Sequence, residues 1–129
     1  MKYRMDRIKN LIIQEIMKAI TNGVVKDPRI PKILTITHLT LSKDFHYCHV
    51  YFSMMGSNSE KKNAVIGLNS AKGVLQRIIA DNIKLRYTPL LEFRYDEAAE
   101  KAFNVDRLLY ELSEERKKKE NINNPENIE

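Results

Sequence analysis

With 129 residues, 43% of them hydrophobic and 30% charged, the chain can build one domain around one modest core and little more. Its single cysteine, Cys48, excludes an internal disulfide framework, and no stretch approaches the roughly 20 apolar residues of a membrane span, so a soluble, cytoplasmic protein is expected. The net charge of +5 is unevenly placed, with 16 Lys and Arg against 7 Asp and Glu in residues 1–94, and 6 against 10 in residues 95–129. A basic body with an acidic end suits an anionic partner, although scattered charge also serves plain solubility.

The first predicted helix runs from about Met5 to Thr21. Ile8, Leu11, Ile12, Ile16, Ala19 and Ile20 fall on one stripe at helical spacing. Asn22-Gly23 is a suitable stop, because both residues tolerate the left-handed conformation that ends many helices. The next segment carries Pro28 and Pro31, which forbid a regular helix or a central strand. It reads as an ordered connector with the cations Lys26, Arg29 and Lys32.

Two strands follow. The first spans about Ile33 to Leu41. Its apolar residues change phase between Leu34 and Ile36 on one side and Leu39 and Leu41 on the other, which predicts a bulge near His38. The second alternates cleanly, with Cys48, Val50, Phe52 and Met54 on one face and Tyr47, His49, Tyr51 and Ser53 on the other. Ser42 to Phe45 makes the turn of an antiparallel hairpin.

Ser57 and Glu60 have the spacing of a capping box. The long helix behind them carries Ala64, Leu68, Ala71, Leu75, Ile78 and Ile79 on one stripe and runs to about Lys84. It contains Gly67 and Gly73, each costing about 1 kcal/mol relative to alanine in a helix interior. Residues 89–95 form a third strand with Leu91, Phe93 and Tyr95 on one face, and Asn104 is expected to cap a short last helix bearing Val105, Leu108, Leu109 and Leu112. The domain is expected to cover residues 1–113, with 114–129 a charged, disordered tail.

The element order is helix, strand, strand, kinked helix, strand, helix. It predicts an α+β fold with a three-stranded sheet and helices on one face. The same order is that of K-homology domains of the second, bacterial topology, although small α+β domains serve many functions.

Several segments resemble the ribosome-binding factor A family. A typical K-homology domain has a Gly-x-x-Gly loop between two helices; here Ala71-Lys72-Gly73 stands there and resembles that family's Ala-x-Gly kink. Val25 to Arg29 resembles its lysine-aspartate-proline-arginine connector, and Val50 to Ser53 its second strand. Leu85 to Phe93 with Asp96-Glu97, and Asp106 with Leu108-Leu109, resemble its later stretches. Ser42-Lys43-Asp44 departs from the family's serine-proline-aspartate turn. The likeness spans roughly residues 5 to 113. It implies a non-enzymatic factor that binds the free or immature small ribosomal subunit and its rRNA. It also implies support for late maturation of the 5′ region of that RNA and for growth at low temperature. A monomer without cofactor, metal or small-molecule substrate is the default expectation.

Candidate RNA-binding residues follow from the kink and from the charge. Free N–H groups at the start of the second helical half would meet a phosphate, aided by the helix dipole. Asn69, Ser70 and Lys72 would add hydrogen bonds and charge around Ala71, and Gly73 would permit close approach. The competing reading is that Gly73 only lets this helix cross another. Arg4, Arg7, Lys9, Lys26, Arg29, Lys32, Arg77, Lys84 and Arg86 form the cationic pool, each alternatively a solvated surface charge. Tyr51 and Tyr87 are expected to pack rather than stack on bases. His38 opposite His49 would give two metal ligands, too few for a closed site. A general single-stranded nucleic acid binder and a protein-interaction adaptor remain the alternatives.

Overall fold

The computed structural model describes residues 2–123. Helix α1 spans Lys2–Thr21, strands β1 and β2 span Thr35–Leu41 and Tyr47–Ser53, helices α2 and α3 span Asn58–Ser70 and Lys72–Asn82, strand β3 spans Leu90–Tyr95, and helix α4 spans Glu97–Asn123. The chain divides into two units, residues 1–96 and 97–129.

In the first unit the sheet order is β1-β2-β3, with β1 antiparallel and β3 parallel to β2. Its inner face carries Leu39, Cys48, Val50, Phe52, Leu91 and Phe93. The stripe Ile8, Ile12, Ile16 and Ile20 of α1, with Ala64 and Leu68 of α2 and Leu75 and Ile79 of α3, closes the core from one side. Each such aliphatic side chain contributes about 1.5–3 kcal/mol through burial. The fold is therefore the expected α+β arrangement of K-homology type. Cys48 lies in this core, where burial pushes its thiol up to about 12.

The local signals act as their chemistry dictates. Gly23, at φ 75°, closes α1 while the Val24 N–H donates to the Ala19 carbonyl over 3.0 Å. Ser57 Oγ accepts from the Glu60 N–H, and Glu60 returns the bond to the Ser57 N–H. The bulge in β1 lies between Ile36 and His38, so Thr37 is the extra residue.

Helix α4, in the second unit, differs from the sequence expectation. It begins at Glu97, and Asn104 sits in its interior rather than at a cap. No glycine or proline occurs from 97 to 123 to stop it, and Glu97 and Glu100 suit the positive end of a helix dipole. The helix continues through 114–123, aided by the Lys117–Glu114 pair at 3.7 Å, where the composition suggested a disordered tail. Residues 124–129 of that tail lie outside the described residues. Among the described residues no helix is long and apolar enough to cross a membrane.

Gly67 has a packing role. A Cβ there would stand 3.1 Å from both Arg29 Cβ and Ile30 Cγ1, so the connector crosses α2 with no room for a methyl group. Ile30 is buried and cannot withdraw freely. Gly67→Ala is expected to destabilise by about 1 kcal/mol, the overpacking cost exceeding the helix-propensity gain. Urea denaturation checks this, and a more stable variant would show that the connector yields.

Candidate nucleic-acid interface

The long helix breaks at one residue. Ala71 adopts φ −88° and ψ −1°, well short of helical ψ, and its N–H is shared between the carbonyls of Gly67 at 3.0 Å and Leu68 at 3.1 Å. Helix α3 then starts afresh. Ala71 has no side-chain acceptor, so the N–H groups of its first turn receive no side-chain cap from that position. Lys72 and Gly73 are exposed beside this opening. Arg77, also exposed, lies one turn on from Gly73.

The two glycines of the broken helix are unlike. Around Gly73 an added Cβ would meet nothing within 4 Å, and its backbone is not in the left-handed region. Among the described residues, close crossing by another segment therefore does not explain Gly73, whereas it does explain Gly67.

Asn69 turns inward. Its Nδ2 donates to the Phe93 carbonyl over 3.1 Å, and its Oδ1 accepts from the Phe93 N–H over 2.9 Å. Gln76 Oε1 accepts from the Leu91 N–H over 3.0 Å. β3 is an edge strand, so these two amides stand where a fourth strand would pair. One belongs to α2 and the other to α3, and together they set both arms of the kink against the sheet. Asn69 is thus a positioning residue whose amide is already occupied. Ser70 is exposed, but its hydroxyl donates back to the Ile66 carbonyl over 2.9 Å.

The connector lies one helical turn before the kink, because Gly67 packs on residues 27–30. Lys26, Arg29 and Lys32 of this connector are all exposed. Arg29 is engaged with Asp27: Nη2 donates to Oδ2 over 2.7 Å and Nε to Oδ1 over 3.0 Å. These bonds hold the Asp27 carboxyl at about 2, below its ordinary 3.8. A lowered folded-state value means the clip stabilises fully above pH about 4 and fails as pH falls toward about 2. Carboxyl-detected NMR titration should place the Asp27 midpoint near 2; a midpoint near 4 would show an open clip in solution.

The remaining cations are elsewhere. Arg4 and Arg86 line one groove with Ile8, Asp44, Phe45, Leu85 and Tyr87. Arg7 and Lys84 are exposed and Lys9 is half-buried, with no ion pair between any of these three and a carboxylate among the described residues. Sequence reasoning missed the Arg4–Arg86 convergence, the inward Asn69 and the packing role of Gly67. All three depend on contacts between residues far apart in the chain, for which no local pattern exists.

The histidines do not converge. The bulge sets His38 across from Tyr51, with rings stacked at 4.3 Å, and His49 across from Thr40, which corrects the expected His38–His49 juxtaposition. His38 Nδ1 lies 3.2 Å from the buried Asp96, which also accepts from Thr37 Oγ1, and His49 lies 3.2 Å from Glu92. Among the described residues no group of three His, Cys, Asp or Glu could hold a metal ion. Tyr51 packs on His38, and Tyr87 packs on His46 with ring centroids 4.6 Å apart.

The sequence profile of the family described as ribosome-binding factor A matches residues 4–109. A ribosome-binding factor A from Acetivibrio thermocellus is 40% identical over 114 residues, covering 88% of this chain and 92% of that protein. The chain belongs to the ribosome-binding factor A family. It is accordingly a binding factor and not an enzyme. A crystal structure of ribosome-binding factor A from Thermus thermophilus superposes with a TM-score of 0.60 at 24% identity, covering 70% of this chain and 93% of that one. A homology model of the Thermus thermophilus factor, fitted into a cryo-electron-microscopy map of its complex with the 30S subunit, matches with a TM-score of 0.50 at 26% identity, covering 67% and 93%. In this family member two amide clamps, Asn69 and Gln76, hold the arms of the kink against β3, and the connector packs on α2 at Gly67.

Proposed function

We propose that this chain binds the free or immature small ribosomal subunit through its rRNA and supports late maturation of the 5′ region of that RNA, acting as a cytoplasmic monomer. The observation that carries the reading is Gly73: exposed, unconstrained by its own chain, and placed at the opening of α3. A glycine kept in a helix at an energetic cost, with no internal reason, suits close approach by an external backbone. Lys72 and Arg77 beside it on α3, with Lys26 and Lys32 of the connector, supply exposed phosphate-neutralising charge, and Arg29 adds charge tempered by Asp27. The related factor fitted into a 30S complex supports the choice of the small subunit as the particle.

Residues 1–113 form the RNA-binding domain in this reading. Co-sedimentation with isolated small subunits, large subunits and joined ribosomes tests the proposal. Selective migration with free small subunits is expected, weakening as salt rises. Equal migration with every particle would reduce the site to a generic basic surface.

A further inference from the structure

A groove lined by Arg4 and Arg86 lies apart from the kink site: residues 85–87 follow the C-terminal end of α3, whose eleven residues span about 16 Å from the Ala71 opening. Its volume is about 270 Å³, with the apolar floor supplied by Ile8, Phe45 and Leu85. Arg4 comes from α1 and Arg86 from the segment before β3, so the fold alone brings the two guanidinium-bearing residues to one groove. Among the described residues neither is ion-paired with a carboxylate. Asp44 lines the same groove, but its carboxylate is bound within the turn. It accepts from Ser42 Oγ over 2.7 Å and from the His46 N–H over 3.1 Å, and lies 3.0 Å from His46 Nδ1.

The wall is aromatic. Tyr87 rests on His46, stays 46% exposed, and has the Arg86 guanidinium 5.4 Å from its ring centre. Phe45 is the only described non-glycine residue with positive φ, at 61°, a conformation that a bulky side chain adopts at a steric cost. The Ser42–Asp44–His46 bonds hold that turn and so hold Phe45 in the floor.

An apolar floor, an aromatic wall and two cations at one groove suit a ligand that is flat and apolar at one end and anionic at the other. We propose that this groove takes one unpaired nucleotide of single-stranded RNA, its base on the floor beside Tyr87 and its phosphate held by Arg4 and Arg86. The site is too small for a duplex end. It rests on the reading of the chain as an rRNA-binding factor, and gives that reading a second, base-level contact beyond the backbone contact at the kink.

The test uses the isotope-labelled full chain titrated with a single-stranded RNA hexanucleotide, the same sequence as a duplex, inorganic phosphate and an oligoglutamate peptide. The hexanucleotide is expected to shift the amide resonances of Phe45, Arg86 and Tyr87. Arg4→Gln with Arg86→Gln should weaken that binding about tenfold. Both arginines have exposed surfaces, and an unchanged melting temperature confirms that the double variant is folded. Undiminished binding by the double variant would overturn the proposal. So would an equal response to duplex or to phosphate alone, or saturation of the groove by oligoglutamate. Co-sedimentation in parallel separates the two readings: a silent groove with intact subunit binding sinks the groove alone, and a responsive groove without subunit binding sinks the subunit reading alone.

Discussion

Asn69→Ala is expected to lower stability by about 3 kcal/mol, more than its half-exposed position on a helix suggests. The amide serves both backbone groups of Phe93, donating to the carbonyl over 3.1 Å and accepting from the N–H over 2.9 Å. Alanine leaves both without a protein partner at a residue only 2% exposed. Each unsatisfied buried group costs about 1–3 kcal/mol. Gln76→Ala removes one such bond, to the Leu91 N–H, and should cost about half as much. Urea denaturation of the two variants measures the ratio. Equal and small losses would mean that water takes over the strand edge and that the clamps do not set the kink. If the clamps do set it, Asn69→Ala also weakens subunit binding under conditions where the variant is still fully folded.

Gly73→Val should have the opposite profile. Binding to small subunits is expected to fall at least about tenfold, equivalent to about 1.4 kcal/mol. Stability should change by less than about 1 kcal/mol, because, among the described residues, a Cβ at Gly73 meets no atom within 4 Å beyond its chain neighbours and its own helix backbone, and helix propensity favours valine slightly over glycine. Gly73→Ala sharpens the contrast: it should raise stability by about 0.5–1 kcal/mol while weakening binding. Denaturation and co-sedimentation on the same preparations decide the matter. Equal losses of stability and binding would remove the functional reading of the kink, as would binding that survives the substitution.

The elements whose signals are local were legible in the sequence. The phase change between Ile36 and Leu39 located the bulge, and Ser57 with Glu60 located the start of α2. The bulge's consequence was not legible, because whether Thr37 or His38 is the extra residue decides which side chain faces Tyr51. Asn104 was misread because a capping residue acts only at a real helix boundary, and Glu97 onward contains nothing that stops a helix. Gly67 and Gly73 are equivalent in sequence. Only the crossing of residues 29–30 separates a glycine required by packing from one left open to an outside partner. Asn69 read as an outward polar group because Phe93, its partner, lies in the strand that returns after α3.

The parallel pairing of β2 with β3 has a kinetic consequence. The β1–β2 hairpin closes through a short turn and can form early, whereas β3 must await the whole intervening segment, including both arms of the broken helix. Asn69 and Gln76 find their partners only on β3. The two amides that hold the arms of the kink therefore have their partners only in a chain that has reached and placed β3. If the kink binds RNA as proposed, competence for RNA is a property of the completed sheet: an unfinished copy carries the charge of the factor but not its aim.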